Sequence, residues 1–451
     1  MPVPVAPGRL PLLGHTLTML RRRQEFTASL RQHGDIVRVD LGTVPTYFVT
    51  NPQVVHELLI TKGALFRKGA LFDKFLPIFG NGLATSNGAF HRRQHRMVQP
   101  AFHRDRIARY AETMARAAAD LTSRWHPGQV RVVEEDAQAL AVTVVGEALF
   151  STELGRRAIE EVRRSIFTVL RYGMVRALSP SFVEKLPLRG NREFDAAIHR
   201  VRAIVLDVVR SRREDGDDDG DDDGDLLSTL LSAQDADTGA GMSDQQVHDE
   251  VMTLLVGGIE TTALALAWTC HELARHPEVE RRVHAEVDEV LDGRAPTFAD
   301  VGKLSYVKQV VNEVLRMYPV WFLMRRALAP VELGDTVLPE GAEVIFSPHA
   351  LHHDPASFED PYRFDPDRWS PERAAAIPRG AFIPFGAGAR RCVGNLFAQT
   401  EIVITVATVA ARWRLVPVPG KPVRVTFTSA AYPKGMLMTA VPRNRVGGCS
   451  S

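Results

Sequence analysis

Phe385-Gly-Ala-Gly388-Ala-Arg390-Arg-Cys392-Val-Gly394 runs straight into Asn395-Leu-Phe-Ala-Gln-Thr-Glu-Ile-Val-Ile-Thr-Val-Ala. The second part reads as a long apolar helix and the first as a tight glycine-rich turn at its mouth. A helix N-terminus favours anions and lowers the pKa of a thiol. Cys392 is therefore placed to be a thiolate, the form that binds metal. Gly388 and Gly394 allow backbone angles that other residues avoid, and they let a flat ligand come close. Arg390, two residues before the sulfur, is placed for a carboxylate on whatever the sulfur binds. A lone cysteine is more often a small buried hydrophobe than a ligand. The pattern around this one, and its partner motifs elsewhere, argue for the ligand.

The rest of the composition is that of a globular protein: 451 residues, 45% apolar, 24% charged, net charge +1. A balance so near zero carries no nucleic-acid signature. Cys270, Cys392 and Cys449 are far apart and odd in number. They form no disulfide framework and point to a reducing cytoplasm. The first residues are broken by prolines and contain no secretory signal. The run 251–270 is almost wholly apolar and about bilayer length. Glu260 at its midspan would be costly in lipid, so the run reads as a helix buried in protein, and no integral membrane segment is expected. The acidic stretch 213–225 cannot bury anything and reads as a solvated loop. Residues 443–451 read as a frayed tail, with Cys449 incidental.

The spacing predicts a helix over 24–33 and two strands over 35–41 and 45–50. Pro52 is placed to be the first residue of a helix over 53–61. Between 66 and 87 the apolar residues Leu71, Phe72, Phe75, Leu76, Ile78 and Phe79 follow no clean period. From 104 to 213 the pattern is helical, broken at Pro180 and Pro187. Ser243 with Gln246 forms a capping box that opens the long apolar helix. A hairpin over 331–346 is predicted to turn at 338–341, and a further turn lies at 431–435.

The Phe-x-x-Gly-x-Arg-x-Cys-x-Gly pattern resembles the haem-binding loop of the cytochrome P-450 family. That resemblance implies that Cys392 is the axial ligand of a haem b, within a loop made by Phe385, Gly388, Arg390 and Gly394. Val256-Gly-Gly258-Ile-Glu260-Thr261-Thr262 is similar to the motif on the helix that crosses the distal haem face. In that reading Gly257 and Gly258 leave room for dioxygen, Thr261 holds a hydrogen bond to it or to a water, and Glu260 relays protons. The bland reading of the same six residues is a buried helix with a packing notch and a threonine bonded back to its own helix. His91-Arg-Arg-Gln-His95-Arg96 resembles the helix whose basic residues meet a haem propionate, with Arg92, Arg93 and Arg96 turned to solvent or to a redox partner. The family more commonly has arginine where this chain has His95. Arg325 is a further propionate candidate. Glu313, Arg316 and Arg368 match the family's buried ion triad, a structural feature. By the same resemblance Phe72, Phe75, Val320, Trp321, Phe322 and Tyr432 line the substrate cavity; Trp321 and Phe322 read equally well as plain core.

The resemblance spans nearly the whole chain. It implies a mostly α fold with a small β region, folded as a single haem domain over 1–451. The implied reaction is monooxygenation of an unactivated carbon in a hydrophobic substrate. Dioxygen is the oxidant, and electrons come from a separate ferredoxin and its reductase. Stretches such as Asn81-Gly-Leu-Ala-Thr-Ser-Asn-Gly88 and Trp321-Phe-Leu-Met-Arg-Arg-Ala327 resemble actinobacterial sesquiterpene oxidases. They imply a cyclic sesquiterpene in terpenoid antibiotic biosynthesis. The same apolar lining suits fatty acids, steroids or macrolides. A haem-thiolate isomerase or dehydratase that needs no external electrons is a rival, opposed by the relay pair Glu260 and Thr261. A helical binding protein without haem is another.

Overall fold

The computed structural model describes residues 3–150, 153–214, 224–427 and 430–443. Helices dominate it. Those used below are α1 (Gly88–Val98), α2 (Arg104–Ser123), α3 (Val133–Leu149), α4 (Glu153–Ala177), α5 (Arg189–Glu214), α6 (Asp244–Arg275), α7 (Pro277–Leu291), α8 (Ser305–Met317) and α9 (Asn395–Arg412). The predicted breaks at Pro180 and Pro187 fall between α4 and α5.

α6 is the axis of the molecule. Ser243 accepts from the Gln246 amide while the Gln246 side chain bonds back to the Ser243 amide, which is the predicted capping box. Side chains all round α6 are buried, because α3, α5, α8 and α9 pack against it from different sides. A helix apolar on every face is stable only inside protein or lipid. Here two-thirds of its most apolar window (67%) is buried in the fold. Among the described residues it is the one helix long and apolar enough to cross a bilayer.

The β region contains a five-stranded sheet. Its strands are β1 (Ile36–Leu41), β2 (Val44–Val49), β3 (Phe66–Lys68), β4 (Leu323–Ala327) and β5 (Glu343–Phe346), in the spatial order β1-β2-β5-β4-β3. β2 runs parallel to β5, with Phe48 beside Ile345. β4 is antiparallel to β5 and to β3, which sets Lys68 directly across from Arg325. Asn51 accepts from the Gln53 amide and Pro52 starts the next helix, as predicted.

The predicted 331–346 hairpin is corrected. Val331–Leu333 pairs with Thr336–Leu338, turning at Gly334. The residues after Gly341 leave to become β5 of the larger sheet. Gly334 carries φ +52°, which glycine adopts without cost, whereas Leu338-Pro-Glu-Gly341 serves as a second bend. The acidic loop 213–225 lies mostly outside the described residues. Its ends are structured: Arg213 pairs with Asp244 at 2.5 Å, and Asp225 caps the helix Leu226–Ser232. Residues 444–451, with Cys449, lie outside the described residues. Arg443 is not frayed, since its guanidinium grips the Asp288 carboxylate of α7 at 2.6 and 3.2 Å and its side chain is nearly buried.

The ion triad is assembled as the resemblance implies. Arg316 donates to both Glu313 oxygens at 2.9 Å, and Arg368 adds a bond at 3.3 Å; Glu313 and Arg316 have no exposed surface. Trp369 Nε1 and the Asp365 amide also donate to Glu313, each at 3.0 Å. The spare Arg316 hydrogens go to the carbonyls of His352, Pro361 and Arg363. Thus the triad ties α8 to the irregular segment 352–369 that leads toward Cys392.

Candidate functional site

Cys392 follows a short turn, Gly388–Arg390, and precedes α9 by three residues. Its amide donates to Phe385 O at 2.9 Å, which closes the loop that the sequence predicts. Gly388 has φ +68°, and a Cβ there would sit 2.1 Å from Leu59 O, so no other residue fits. The cysteine presents exposed surface. The expectation of a depressed thiol pKa is corrected: burial pushes the thiol up, while the Gly394 amide and Arg391 pull it back. Bonding to a metal cation is what would stabilise the thiolate here.

On α6, Gly257 and Thr261 are exposed although the helix around them is buried. They lie four residues apart, on one face, and mark an interior space. A Cβ on Gly257 would meet nothing within 4 Å. Gly258 does not share that space, which corrects the reading that it makes room for dioxygen. Its face lies on α3, where a Cβ would come 2.9 Å from Val145, so it is a packing notch. Thr261 Oγ1 donates to Gly257 O at 2.7 Å. Its proton is therefore committed to its own helix and its lone pairs face outward. Glu260 is half-buried beside this face, and its charge helps to raise the Tyr432 phenol, which burial first of all pushes up to about 12.

A cluster of buried and half-buried basic residues completes the site. Lys68 and Arg325 face one another on β3 and β4; Arg390 reaches in from the cysteine loop; His91 and His95 come from α1, their rings 6.2 Å apart. Burial, with Arg390 nearby, lowers Arg325 to about 9 and drives Lys68 well below the usual lysine range. His91 falls to about 3, by burial and by the positive charge of Lys68 and Arg390. Buried cations without carboxylate partners are costly. Among the described residues none of Lys68, Arg325 and Arg390 has an ion pair; they lean on the carbonyls of Leu83, Met324 and Phe66 and on the Asn87 side chain. The His91 Nε2 is buried with no hydrogen-bond partner. This donor set fits the carboxylates of a propionate-bearing porphyrin. Lys68 is the member of this cluster that sequence reading missed. Only its burial across from Arg325 reveals it.

Other predicted contacts divide. Phe72 and Phe75 are half-buried on the segment 66–87, Phe75 edge-on to Phe79 at 6.0 Å. Val320 pairs with Ala430, so the C-terminal turn does fold back against the segment after α8. Trp321 and Phe322 take the plain-core alternative, since both pack into a core cluster with Met19, Phe26 and Phe48. Tyr432 is half-buried, within reach of the Glu260 charge, with its hydroxyl held by Gln138 of α3. Of the three α1 arginines, Arg93 and Arg96 are bound to Asp235, at 3.2 and 3.3 Å, whereas Arg92 is exposed and has no such partner among the described residues.

A profile of the cytochrome P450 family matches residues 4–443. The chain belongs to the cytochrome P450 family. The P450 is 45% identical over 417 residues to cyclooctat-9-en-7-ol 5-monooxygenase of Streptomyces melanosporofaciens, covering 92% of this chain and 90% of that one. It is also 45% identical to cyclooctatin synthase of the same organism, over 93% and 91% of the two chains. With pentalenene oxygenase of Streptomyces avermitilis it shares 37%, over 95% and 94%. The cytochrome P450DA heme domain superposes with a TM-score of 0.86 at 26% identity, over 98% of both chains. The P450 is thus a haem enzyme and a monooxygenase that draws on dioxygen and redox partners. The mostly α fold with small sheets is that of the family.

Proposed function

We propose that this P450 hydroxylates a cyclic terpenoid at an unactivated carbon, with Cys392 as the axial ligand of a haem b. What supports the substrate class is the set of relatives. Two act on or make ring compounds named for cyclooctatin, at 45% identity, and a third is named for pentalenene, at 37%. The cyclic sesquiterpene inferred from the sequence, oxidised at a methyl group to alcohol and then aldehyde, remains the pentalenene-like form of this reading. The higher identity to the cyclooctatin enzymes favours a ring substrate that already bears an alcohol.

A bound haem would supply the chemistry of dioxygen activation and of hydrogen abstraction from carbon. The chain supplies the rest. Arg325, Arg390, Lys68 and His91 hold the porphyrin carboxylates and lose their unfavourable isolation by doing so. Gly257 keeps the space beside α6 open. Thr261 accepts a hydrogen bond from water there, and it can donate only by letting go of Gly257 O, 2.7 Å away. Glu260 returns protons to that position from the side of Tyr432. Phe72 and Phe75 exclude water and hold an apolar substrate. Ferredoxin and its reductase are the electron donors in this reading, within a cytoplasmic, single haem domain.

The carrying observation is Cys392 in a loop closed by Phe385 O, together with the basic residues Lys68, Arg325 and Arg390, which among the described residues have no ion pair. In the reduced carbon monoxide complex, Cys392→Ser loses the red-displaced Soret band that thiolate ligation gives. An unchanged band would overturn the ligation. Spin-state titrations with cyclooctat-9-en-7-ol, pentalenene and lauric acid test the substrate class: a shift with lauric acid and with neither terpenoid would refute it.

A further inference from the structure

Two adjacent carboxylates of α6, Asp249 and Glu250, are buried and have no part in the chemistry above. Both receive backbone from the strip 78–83, which follows the aromatic segment Phe72–Phe79. The Asn81 amide donates to Asp249 at 2.8 Å and the Leu83 amide to Glu250 at 2.8 Å. The strip lies flat on the helix. A Cβ on Gly80 would stand 2.1 Å from the Asp249 carboxylate, and one on Gly82 would stand 2.3 Å from Thr253 Oγ1. Glycines at these places let the chain come close enough for the two bonds to form.

Each carboxylate also reaches a different part of the molecule. Asp249 accepts from Arg202 of α5 at 3.2 Å, and the same guanidinium donates to Ile78 O at 3.2 Å. Gln245 and His248 complete its shell. Glu250 faces Lys68, whose ammonium donates to Leu83 O, so the two polar backbone groups of Leu83 are gripped by a carboxylate on one side and an ammonium on the other. Lys68 belongs to the carboxylate cradle with Arg325, Arg390 and His91. Its own amide donates to Asn87 Oδ1 at 2.8 Å, the atom that also accepts from Arg390 at 3.0 Å. The second oxygen of Glu250 is buried and without a hydrogen-bond partner.

We propose that Glu250 is a positioning residue for ligand entry: with Asp249 it fastens the strip 78–83 to α6, and through Lys68 it ties that strip to the cradle that holds the porphyrin. The strip, α5 and the cofactor then move as one latch. The proposal rests on membership of the haem family and not on the terpenoid reading. Burial keeps Glu250 protonated up to about pH 8, while Lys68 favours its ionisation and Asp249 opposes it. Asp249 itself is held below the usual carboxylate range, with His248 and Asn81 offsetting its burial, and His91 titrates far lower, so neither changes charge in that window. Ionised Glu250 accepts the Leu83 amide more strongly, and Leu83 O in turn holds Lys68. The latch therefore tightens as pH rises.

The test uses the haem-loaded full chain and 4-phenylimidazole, a bulky ligand that binds haem iron from the cavity side and is uncharged above neutral pH. Its association rate is followed by stopped flow, with carbon monoxide as a small control ligand. From about pH 6.5 to about pH 9.5 the wild-type rate for 4-phenylimidazole falls about fivefold, centred near the Glu250 ionisation, while that for carbon monoxide changes little. Glu250→Gln keeps the low-pH rate throughout. Arg202→Leu, which acts only on the Asp249 side, is faster at every pH and keeps the step. A flat wild-type profile overturns the proposal. So does a step that survives in Glu250→Gln, which would assign the titration to Lys68. The probe is not the natural substrate, so an error in the terpenoid class leaves these outcomes unchanged.

Discussion

Replacing Glu313 by glutamine tests how the fold supports the cysteine loop. Glutamine keeps the shape of Glu313 and removes its charge. Arg316, with no exposed surface, and Arg368 would then be buried cations facing a neutral amide, and one of the amide's two ends would present hydrogens to a donor. Breaking a buried ion set in this way costs ~3–5 kcal/mol. For 451 residues the unfolding entropy is about 0.95 kcal/mol/K near 60 °C, so the melting temperature falls by about 3–5 °C. The loss also reaches the site. Arg316 O accepts from His352 Nδ1 at 3.2 Å, His352 Nε2 accepts from the Ile383 amide at 2.9 Å, and Ile383 O accepts from the Gly386 amide at 3.0 Å within the cysteine loop. Haem retention should therefore fall along with stability. Differential scanning calorimetry of the holoenzyme, with the Soret band followed through the same ramp, measures both. Arg316→Met should cost more than Arg368→Met, because three backbone carbonyls lose their donor. A melting temperature unchanged within about 1 °C, or equal losses for the two arginine variants, would refute this account of the triad.

The two glycines of α6 should part company. Gly257→Ala gains about 0.5–1 kcal/mol of helix stability because its Cβ meets nothing, yet it narrows the space beside Thr261 and weakens bulky haem ligands; Gly258→Ala drives a Cβ to 2.9 Å from Val145 and lowers the melting temperature. Gly388→Ala places a side chain at φ +68° against Leu59 O and should lose haem content, read as the Soret to protein absorbance ratio. Acid should destabilise the fold through His349, His352 and His353, all buried and all depressed by burial first, His353 to about 4. A histidine with a lowered folded-state pKa contributes stability above its unfolded value of about 6.5, and that stability is lost as pH falls towards 4. His353 alone accounts for about 3 kcal/mol of a melting temperature that falls between those limits, and His353→Gln should make that fall shallower.

Much of this was legible in the sequence because it is local. The capping box at Ser243, the helix start at Pro52, and the glycines around Cys392 are decided by neighbours within a few residues. The cation cradle was half legible: His91, Arg325 and Arg390 are marked by motif, but Lys68 gains its meaning only from pairing with a strand more than two hundred residues away. Gly258 was misjudged, and the sequence leaves Trp321 open between wall and core, for one reason. A helix period or an aromatic pair shows that a residue is apolar and inward, and it cannot show which of two interior surfaces the residue meets. The Asp249–Glu250 pair gave no signal at all, since its partners are backbone amides. Likewise, the arginines of α1 looked like one solvated face until Asp235 was found to hold two of them.

The parallel pairing of Phe48 with Ile345 has a consequence for how the protein is made. The first hairpin leaves the ribosome with one edge waiting for a strand about 300 residues downstream. At about 5–20 residues per second, that wait lasts roughly 15–60 s. Throughout it, Phe48 and Val49 stand at an open, sticky border in the nascent chain. Holding chaperones, slowed growth temperature or both should raise the yield of haem-competent protein more than extra haem precursor does.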